Sequence, residues 1–161
     1  MGCRPKNPDH PDLHCPSAQP DLPGAVAFGL IEHGGEAPTT AYFEEPVPVT
    51  SELLDMAAPL RPTEVFRFSA PCQQQRCSHW EGACTLVDRI VNLLPVSSLT
   101  LPPCQIRADC RWFAEQGRDA CRRCPQIITQ NTRASELMVQ AAEPPSRAPG
   151  AGKAPTGEAP T

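Results

Sequence analysis

The sequence predicts a small α+β domain of a few short strands and helices, with a metal-stapled, cysteine-rich half and disordered tails. Three observations predict it. Short β-prone runs fill the first half of the chain, an amphipathic stretch follows in the second half, and seven of the nine cysteines lie within residues 72–124. A chain of 161 residues with 21 prolines can form only a small core, and small cores are commonly supplemented by covalent or metal crosslinks.

The chain divides into three segments. Residues 1–23 carry six prolines and no apolar period, which predicts a disordered leader. Residues 24–141 form the single domain, and its metal-binding part covers residues 72–124. Residues 142–161 are rich in proline, alanine and glycine and predict a second disordered tail.

The strands are predicted in the first half of the domain. An apolar run at 25–31 indicates a buried strand, and a β-prone run at 39–44 indicates a second one that could pair with it as a hairpin. Pro46 and Pro48 should stop this second strand. The alternating run 63–68 predicts a third strand, with its two phenylalanines on one face.

Three helices are predicted. The first is short, is capped by Thr50 or Ser51, and ends before Pro59. The clearest helix covers residues 85–94, because its leucines and isoleucine recur along one stripe with polar residues opposite. The third covers residues 109–116 and ends at a glycine.

Charge and hydropathy argue against two classes of partner, nucleic acids and membranes. The formal net charge of -4 argues against a nucleic-acid-binding protein, and no run approaches the roughly 18 apolar residues that would cross a bilayer. The first residues contain no apolar core of a secretory signal, so we expect a cytoplasmic protein with reduced thiols. Disulfides remain an alternative, although an odd count of seven cysteines in the block counts against them.

The cysteine block predicts metal ligation. Its order is C-x4-C-x6-C-x19-C-x5-C-x10-C-x2-C, and four cysteines are the common cage for zinc and for iron–sulfur clusters. One complete site could use Cys104, Cys110, Cys121 and Cys124. A second could use Cys72, Cys77 and Cys84 with His79. The two remaining cysteines, Cys3 and Cys15, lie in the leader and are expected to be free thiols.

The cysteine spacing does not decide whether the metal is an iron–sulfur cluster or zinc. The C-x2-C pair of Cys121 and Cys124 is typical of zinc sites. Pro125 gives the Cys-Pro ending that is also found in bacterial-type ferredoxins, and the long intervals suit a cluster. Trp80, Trp112 and Phe113 also favour a cluster, because they could exclude water from it, although they could equally belong to an ordinary core.

Two segments resemble a group of short, cysteine-rich bacterial proteins, some of them labelled nitrogen-fixation proteins: CSHWEGACTLVDRIVNLLP and LPPCQIRADCRWFAEQGRDACRRCPQIIT. The resemblance spans residues 25–132 and rests on the order of Cys77, His79, Trp80, Cys84, Cys104, Cys110, Arg111, Trp112, Cys121, Cys124 and Pro125. It implies a bacterial cytoplasmic protein connected with metal or redox biology, which favours an iron–sulfur cluster of the 4Fe–4S kind. It supplies no catalytic residue.

Three functions follow from these observations. The first is a small iron–sulfur protein that acts in electron transfer, redox sensing or cluster delivery to a protein partner, with a link to nitrogen fixation implied by the resemblance. The second is a zinc-stapled interaction module without catalytic activity. The third is a thiol oxidoreductase that uses Cys121 and Cys124 as its redox pair, and the missing thioredoxin-like βαβ pattern argues against it.

Overall fold

A four-stranded antiparallel sheet forms one half of the fold. The computed structural model describes residues 6–146. Four strands lie in the spatial order β1-β4-β2-β3: β1 (His14–Cys15), β2 (Val26–Glu32), β3 (Thr39–Pro48) and β4 (Phe66–Pro71). The hairpin of β2 and β3 confirms the two strands predicted at 25–31 and 39–44. Strands and helices together make the α+β fold that the sequence predicts.

Strand β3 continues through the two prolines that were expected to end it. Pro48 lies opposite Val26, and the register shifts between the pairs Ala27–Val47 and Gly29–Tyr42, so the extra residues 43–46 of β3 form an irregularity in the ladder. β3 is an edge strand. Proline is tolerated there because a missing N–H on the outer side breaks no ladder bond.

The predicted strand at 63–68 is two elements. Helix α2 (Pro62–Val65) comes first, and β4 begins only at Phe66. Pro62 occupies the first helical turn, and the Arg61 N–H donates to the Glu64 carboxylate at 3.1 Å. These two helix-start signals outweigh the alternating pattern over the first residues of the segment.

The predicted disordered leader differs from the structure over residues 6–23. In β1, Cys15 lies opposite Ala70 of β4, and the side chain of Leu13 is fully buried. This pairing covers an edge of β4 that would otherwise expose its N–H and C=O groups. Residues 1–5, which include Cys3, and residues 147–161 of the predicted tail lie outside the described residues.

The two faces of β4 contact different layers. Phe66 and Phe68 lie in an apolar cluster whose partly buried members include Leu53 and Leu54 of helix α1 (Ser51–Asp55), which Thr50 caps as predicted. Arg67 lies between them in sequence, and its side chain hydrogen-bonds Cys124 on the opposite face. The alternation of the strand therefore directs one cation into the cysteine-rich half.

The cysteine-rich half consists of short helices and turns. The helices are α3 (Thr85–Leu93), α4 (Arg111–Gln116), α5 (Arg118–Cys121) and α6 (Glu136–Ala141); the 3-10 turns are Gln74–Arg76, Arg107–Asp109 and Cys124–Gln126. Helices α3 and α4 confirm the predictions at 85–94 and 109–116. Gly117 ends α4 with a φ of 64°, a conformation that glycine adopts without strain. None of the helices in residues 6–146 has the length and apolar character to cross a membrane.

Gly29 should be intolerant of any side chain. A Cβ atom at this position would lie 2.7 Å from Thr40 Cγ2 and 3.1 Å from the Ala41 carbonyl oxygen. We expect Gly29→Ala to lower the free energy of unfolding by about 1–3 kcal/mol, the usual cost of overpacking. Urea unfolding measures it, with Gly34→Ala as the control because no atom lies within 4 Å of its Cβ position. Equal stability of the two variants would contradict this packing of β2 on β3.

Candidate metal centre

The structure places the first predicted set of four cysteines around one cavity. Cys104 follows two prolines, Cys110 immediately precedes α4, Cys121 ends α5, and Cys124 begins a 3-10 turn. All four line one cavity, which we call the first site. Its volume is about 20 Å³, and the rest of its wall is mainly apolar, with Phe28, Ile106 and Trp112 among its members.

The four thiols of the first site influence each other electrostatically. Burial raises the pKa of Cys104 to about 12, and Cys124 and Cys121 add to the increase, while the Ile106 N–H and Arg107 oppose it. Burial also raises the pKa of Cys110 well above its usual value, and the other three cysteines contribute. Without a metal the thiols of Cys104 and Cys110 are therefore protonated at neutral pH.

Arg67 places a positive charge at the first site. Its side chain is fully buried and donates hydrogen bonds to Cys124 Sγ at 3.3 Å and to the Cys124 carbonyl oxygen at 2.9 Å. No carboxylate within residues 6–146 forms an ion pair with it. Burial alone would lower the pKa of Arg67, but the neighbouring Cys124 and Tyr42 raise it. A buried cation of this kind requires an anionic neighbour, and the cysteine group is the one beside it.

Two further polar groups lie buried at this cavity. The Trp112 Nε1–H has no hydrogen-bond partner among the described residues, and Arg67 Nε shares this state, while the Tyr42 hydroxyl interacts with the Cys124 side chain. Tyr42 and Trp112 both line the first site. An unsatisfied buried donor costs about 1–3 kcal/mol, so the unsatisfied N–H groups of Trp112 and Arg67 beside four thiols fit a bound group that offers acceptor atoms.

A second cavity is lined by four other cysteines. Cys15, Cys72, Cys77 and Cys84 lie in its wall, and its volume is about 280 Å³. We call it the second site. Burial raises the pKa of the Cys15 thiol to about 12, with Cys84, Cys72 and Cys77 adding to the increase and the Ser17 N–H opposing it. Burial likewise raises the pKa of Cys84 to about 11, and Glu115 and Cys72 contribute.

Cys15 is the residue that sequence reasoning missed. It was expected to be a free thiol in a disordered leader, but β1 places it at the second site, because pairing with β4 brings this strand beside Cys72. The backbone N–H of Cys72 donates to the Leu13 carbonyl oxygen at 2.9 Å. One signal was available in the sequence, since Cys15-Pro16 repeats the Cys-Pro dipeptide of Cys124-Pro125.

His79 lies in the wall of the second site together with the three cysteines predicted to accompany it. Its backbone N–H donates to Cys77 Sγ at 3.4 Å, and its buried Nδ1 has no partner among the described residues. Burial lowers the pKa of the imidazole, and Arg89 contributes. The second site therefore holds four thiols and one neutral imidazole.

Arg111 supplies the cation of the second site. Its buried guanidinium donates to Glu115 at 2.9 Å, lies 4.8 Å from the centre of the Trp80 ring, and interacts with Cys72. Glu115 in turn accepts hydrogen bonds from the Cys84 N–H at 3.0 and 3.2 Å. One buried arginine thus accompanies each group of cysteines.

All eight cysteines of the described residues are free thiols. Within residues 6–146, no three or more His, Cys, Asp or Glu side chains meet closely enough to hold a metal ion. The thiols instead line two cavities. Ligation would require them to lose their protons, because the thiolate is the metal ligand.

Metal affinity should therefore rise steeply with pH. Because the pKa values of Cys104 and Cys110 are raised, protons occupy these sulfurs at neutral pH and must leave when a metal binds. Metal affinity should increase up to about tenfold per pH unit for each thiol proton that the metal displaces, and it should decrease as the pH falls. Cadmium titration at pH 6.5 and 7.5, followed by thiolate charge-transfer absorption, measures the slope. A pH-independent affinity would show that the ligands are not these thiols.

Comparison with protein-family models, with curated proteins and with solved structures finds no match to this chain.

Proposed function

We propose that this chain is a small electron-transfer protein whose Cys104, Cys110, Cys121 and Cys124 hold a [4Fe–4S] cluster. The observation that carries the proposal is the buried Arg67, which faces a group of four thiols and has no carboxylate partner among the described residues. Four thiolates on a cluster supply the missing negative charge. The sulfides of a cluster can also accept a hydrogen bond from the Trp112 Nε1–H, which lines the cavity.

Electron transfer suits this site better than cluster delivery. Cys110 is 7% exposed and Cys124 is 9% exposed, and their neighbours include Trp112 and Phe113. Delivery requires ligands that a recipient protein can reach. A cluster held by Cys104, Cys110, Cys121 and Cys124 would supply one-electron chemistry: it would accept one electron from a reduced donor protein and would return that electron to an oxidised acceptor protein. The partner, the cytoplasmic location and the link to nitrogen fixation remain predictions from the sequence.

Zinc is the second candidate for the first site, and the cavity volume favours it. About 20 Å³ is the room of roughly one water molecule, which a single ion fills more readily than a cluster. A zinc ion would draw the four sulfurs to about 2.3 Å from one point and would make the centre structural. The chain would then be an interaction module in which metal supplements a small core.

Anaerobic purification and metal analysis test the proposal. The cluster predicts a brown protein with absorption near 400 nm and with iron and acid-labile sulfide in equal amounts. Cys124→Ser should remove about four iron ions per chain, while Cys3→Ser should remove none. Stoichiometric zinc without iron would overturn the cluster in favour of the interaction module. A colourless protein without either metal would overturn both.

A further inference from the structure

We infer that Cys15, Cys72, Cys77 and Cys84 hold a second iron–sulfur cluster, with Cys15 and not His79 as its fourth ligand. This inference rests on the proposed function, since it extends the same chemistry to the second site. It differs from the sequence prediction in one residue. The chain would then carry two clusters of four cysteines each.

The four thiols reach the second site from four separate segments. Cys15 belongs to β1, Cys72 directly follows β4, Cys77 follows the turn Gln74–Arg76, and Cys84 immediately precedes α3. Their cavity of about 280 Å³ is large enough for a multinuclear group. Each of Cys72, Cys77 and Cys84 lies close enough to act electrostatically on Cys15.

Hydrogen-bond donors already surround these sulfurs. The Ser17 N–H donates to Cys15 Sγ, and the His79 N–H donates to Cys77 Sγ, both at 3.4 Å. Bonds of this kind stabilise cluster thiolates and set the reduction potential. Arg111 adds a buried cation beside Cys72, and its Nε has no acceptor within the described residues. The second site therefore shares a buried arginine and hydrogen-bonded sulfurs with the first, although Arg111, unlike Arg67, forms an ion pair with a carboxylate, that of Glu115.

His79 acts in this arrangement through its backbone. Its N–H bonds Cys77, and its carbonyl oxygen accepts bonds from the N–H and the hydroxyl of Thr85 at 2.9 and 2.5 Å. These bonds hold the turn between Cys77 and Cys84. A fourth thiol is already present in Cys15, so the imidazole is not needed as a ligand.

The two sites are adjacent and share part of their lining. Trp112 lines both cavities, and Pro16 lines the first while its neighbour Cys15 lines the second. The backbone also connects them, since His14 forms a parallel β-bridge with Cys110. Two clusters held so near to each other should interact magnetically when both are reduced.

Iron analysis of five anaerobically reconstituted proteins tests the second site. We expect about eight iron ions in the wild type and in His79→Asn, and about four in Cys15→Ser, Cys77→Ser and Cys124→Ser. Electron paramagnetic resonance after dithionite reduction should show spin coupling in the wild type and an uncoupled cluster in each cysteine variant. The absorption near 400 nm that remains in Cys15→Ser and Cys77→Ser shows that the first site is still folded.

The outcomes separate this inference from the proposed function. About four iron ions in the wild type, lost in Cys124→Ser but kept in Cys15→Ser, would overturn the second cluster and leave the first. If His79→Asn lost half of its iron and Cys15→Ser lost none, Cys15 would be overturned as the fourth ligand of the second cluster. Loss of all iron in both Cys15→Ser and Cys77→Ser would contradict an independent second site. A wild type without iron would overturn the proposed function itself.

Discussion

If the proposed metal is bound, its removal with an anaerobic chelator is expected to unfold the cysteine-rich half of the protein and to leave the β2–β3 hairpin and β4 in place. Helix α4 has six residues and α5 has four. Helices of this length are not stable in water without tertiary contacts. The core of this half includes the ligands themselves, because Cys110 and Cys124 are two of its buried residues.

The expected effect is large relative to the stability of the domain. Structural zinc sites contribute about 10–16 kcal/mol of apparent binding free energy, whereas a whole domain is stable by about 5–15 kcal/mol. Hydrogen exchange with and without metal measures the change. Amides of α4 and α5 should lose protection, while those of β2, whose sheet cluster includes Ala27 and Phe68, should keep it. Unchanged protection in α4 would show that the core of this half does not depend on metal.

Arg67→Met is expected to weaken binding of the proposed cluster at the first site and to lower its reduction potential. Substitution of a residue that contacts a metal ligand typically costs 10–100-fold in metal affinity. Loss of the bond to Cys124 Sγ removes such a contact, and loss of the positive charge makes each added electron less favourable. The rate of iron release to a chelator and the midpoint potential measure the two effects. Arg67→Lys should change the reduction potential less than the metal affinity. Lysine retains the positive charge but lacks the planar set of hydrogen-bond donors.

Arg118→Met provides the matched control, since it removes the same charge from an exposed position at the start of α5. It should release iron at the wild-type rate. Equal potentials in Arg67→Met and Arg118→Met would show that Arg67 does not compensate the charge of the cluster.

Local patterns predicted those elements whose signals lie within one segment. The structure contains both the apolar stripe of α3 and the alternation of Phe66 and Phe68 along β4. A helix or a strand that buries one face needs apolar residues at its own period. The prediction was wrong where two local signals compete. At 62–65 the helix-start residues outweigh the strand pattern, and along β3 the edge position tolerates prolines that a central strand would reject.

The sequence by itself determined that this is a small α+β chain with a dense set of thiols, because composition, periodicity and cysteine spacing are properties of consecutive residues. It also grouped Cys104, Cys110, Cys121 and Cys124, which lie within 21 residues of one another. Only the tertiary structure decided that Cys15 joins Cys72, Cys77 and Cys84, and that Arg67 reaches Cys124. Those contacts depend on how β1 and β4 pair and on which face of β4 meets the cysteine-rich half, and strand pairing between distant segments leaves no fixed spacing in the sequence.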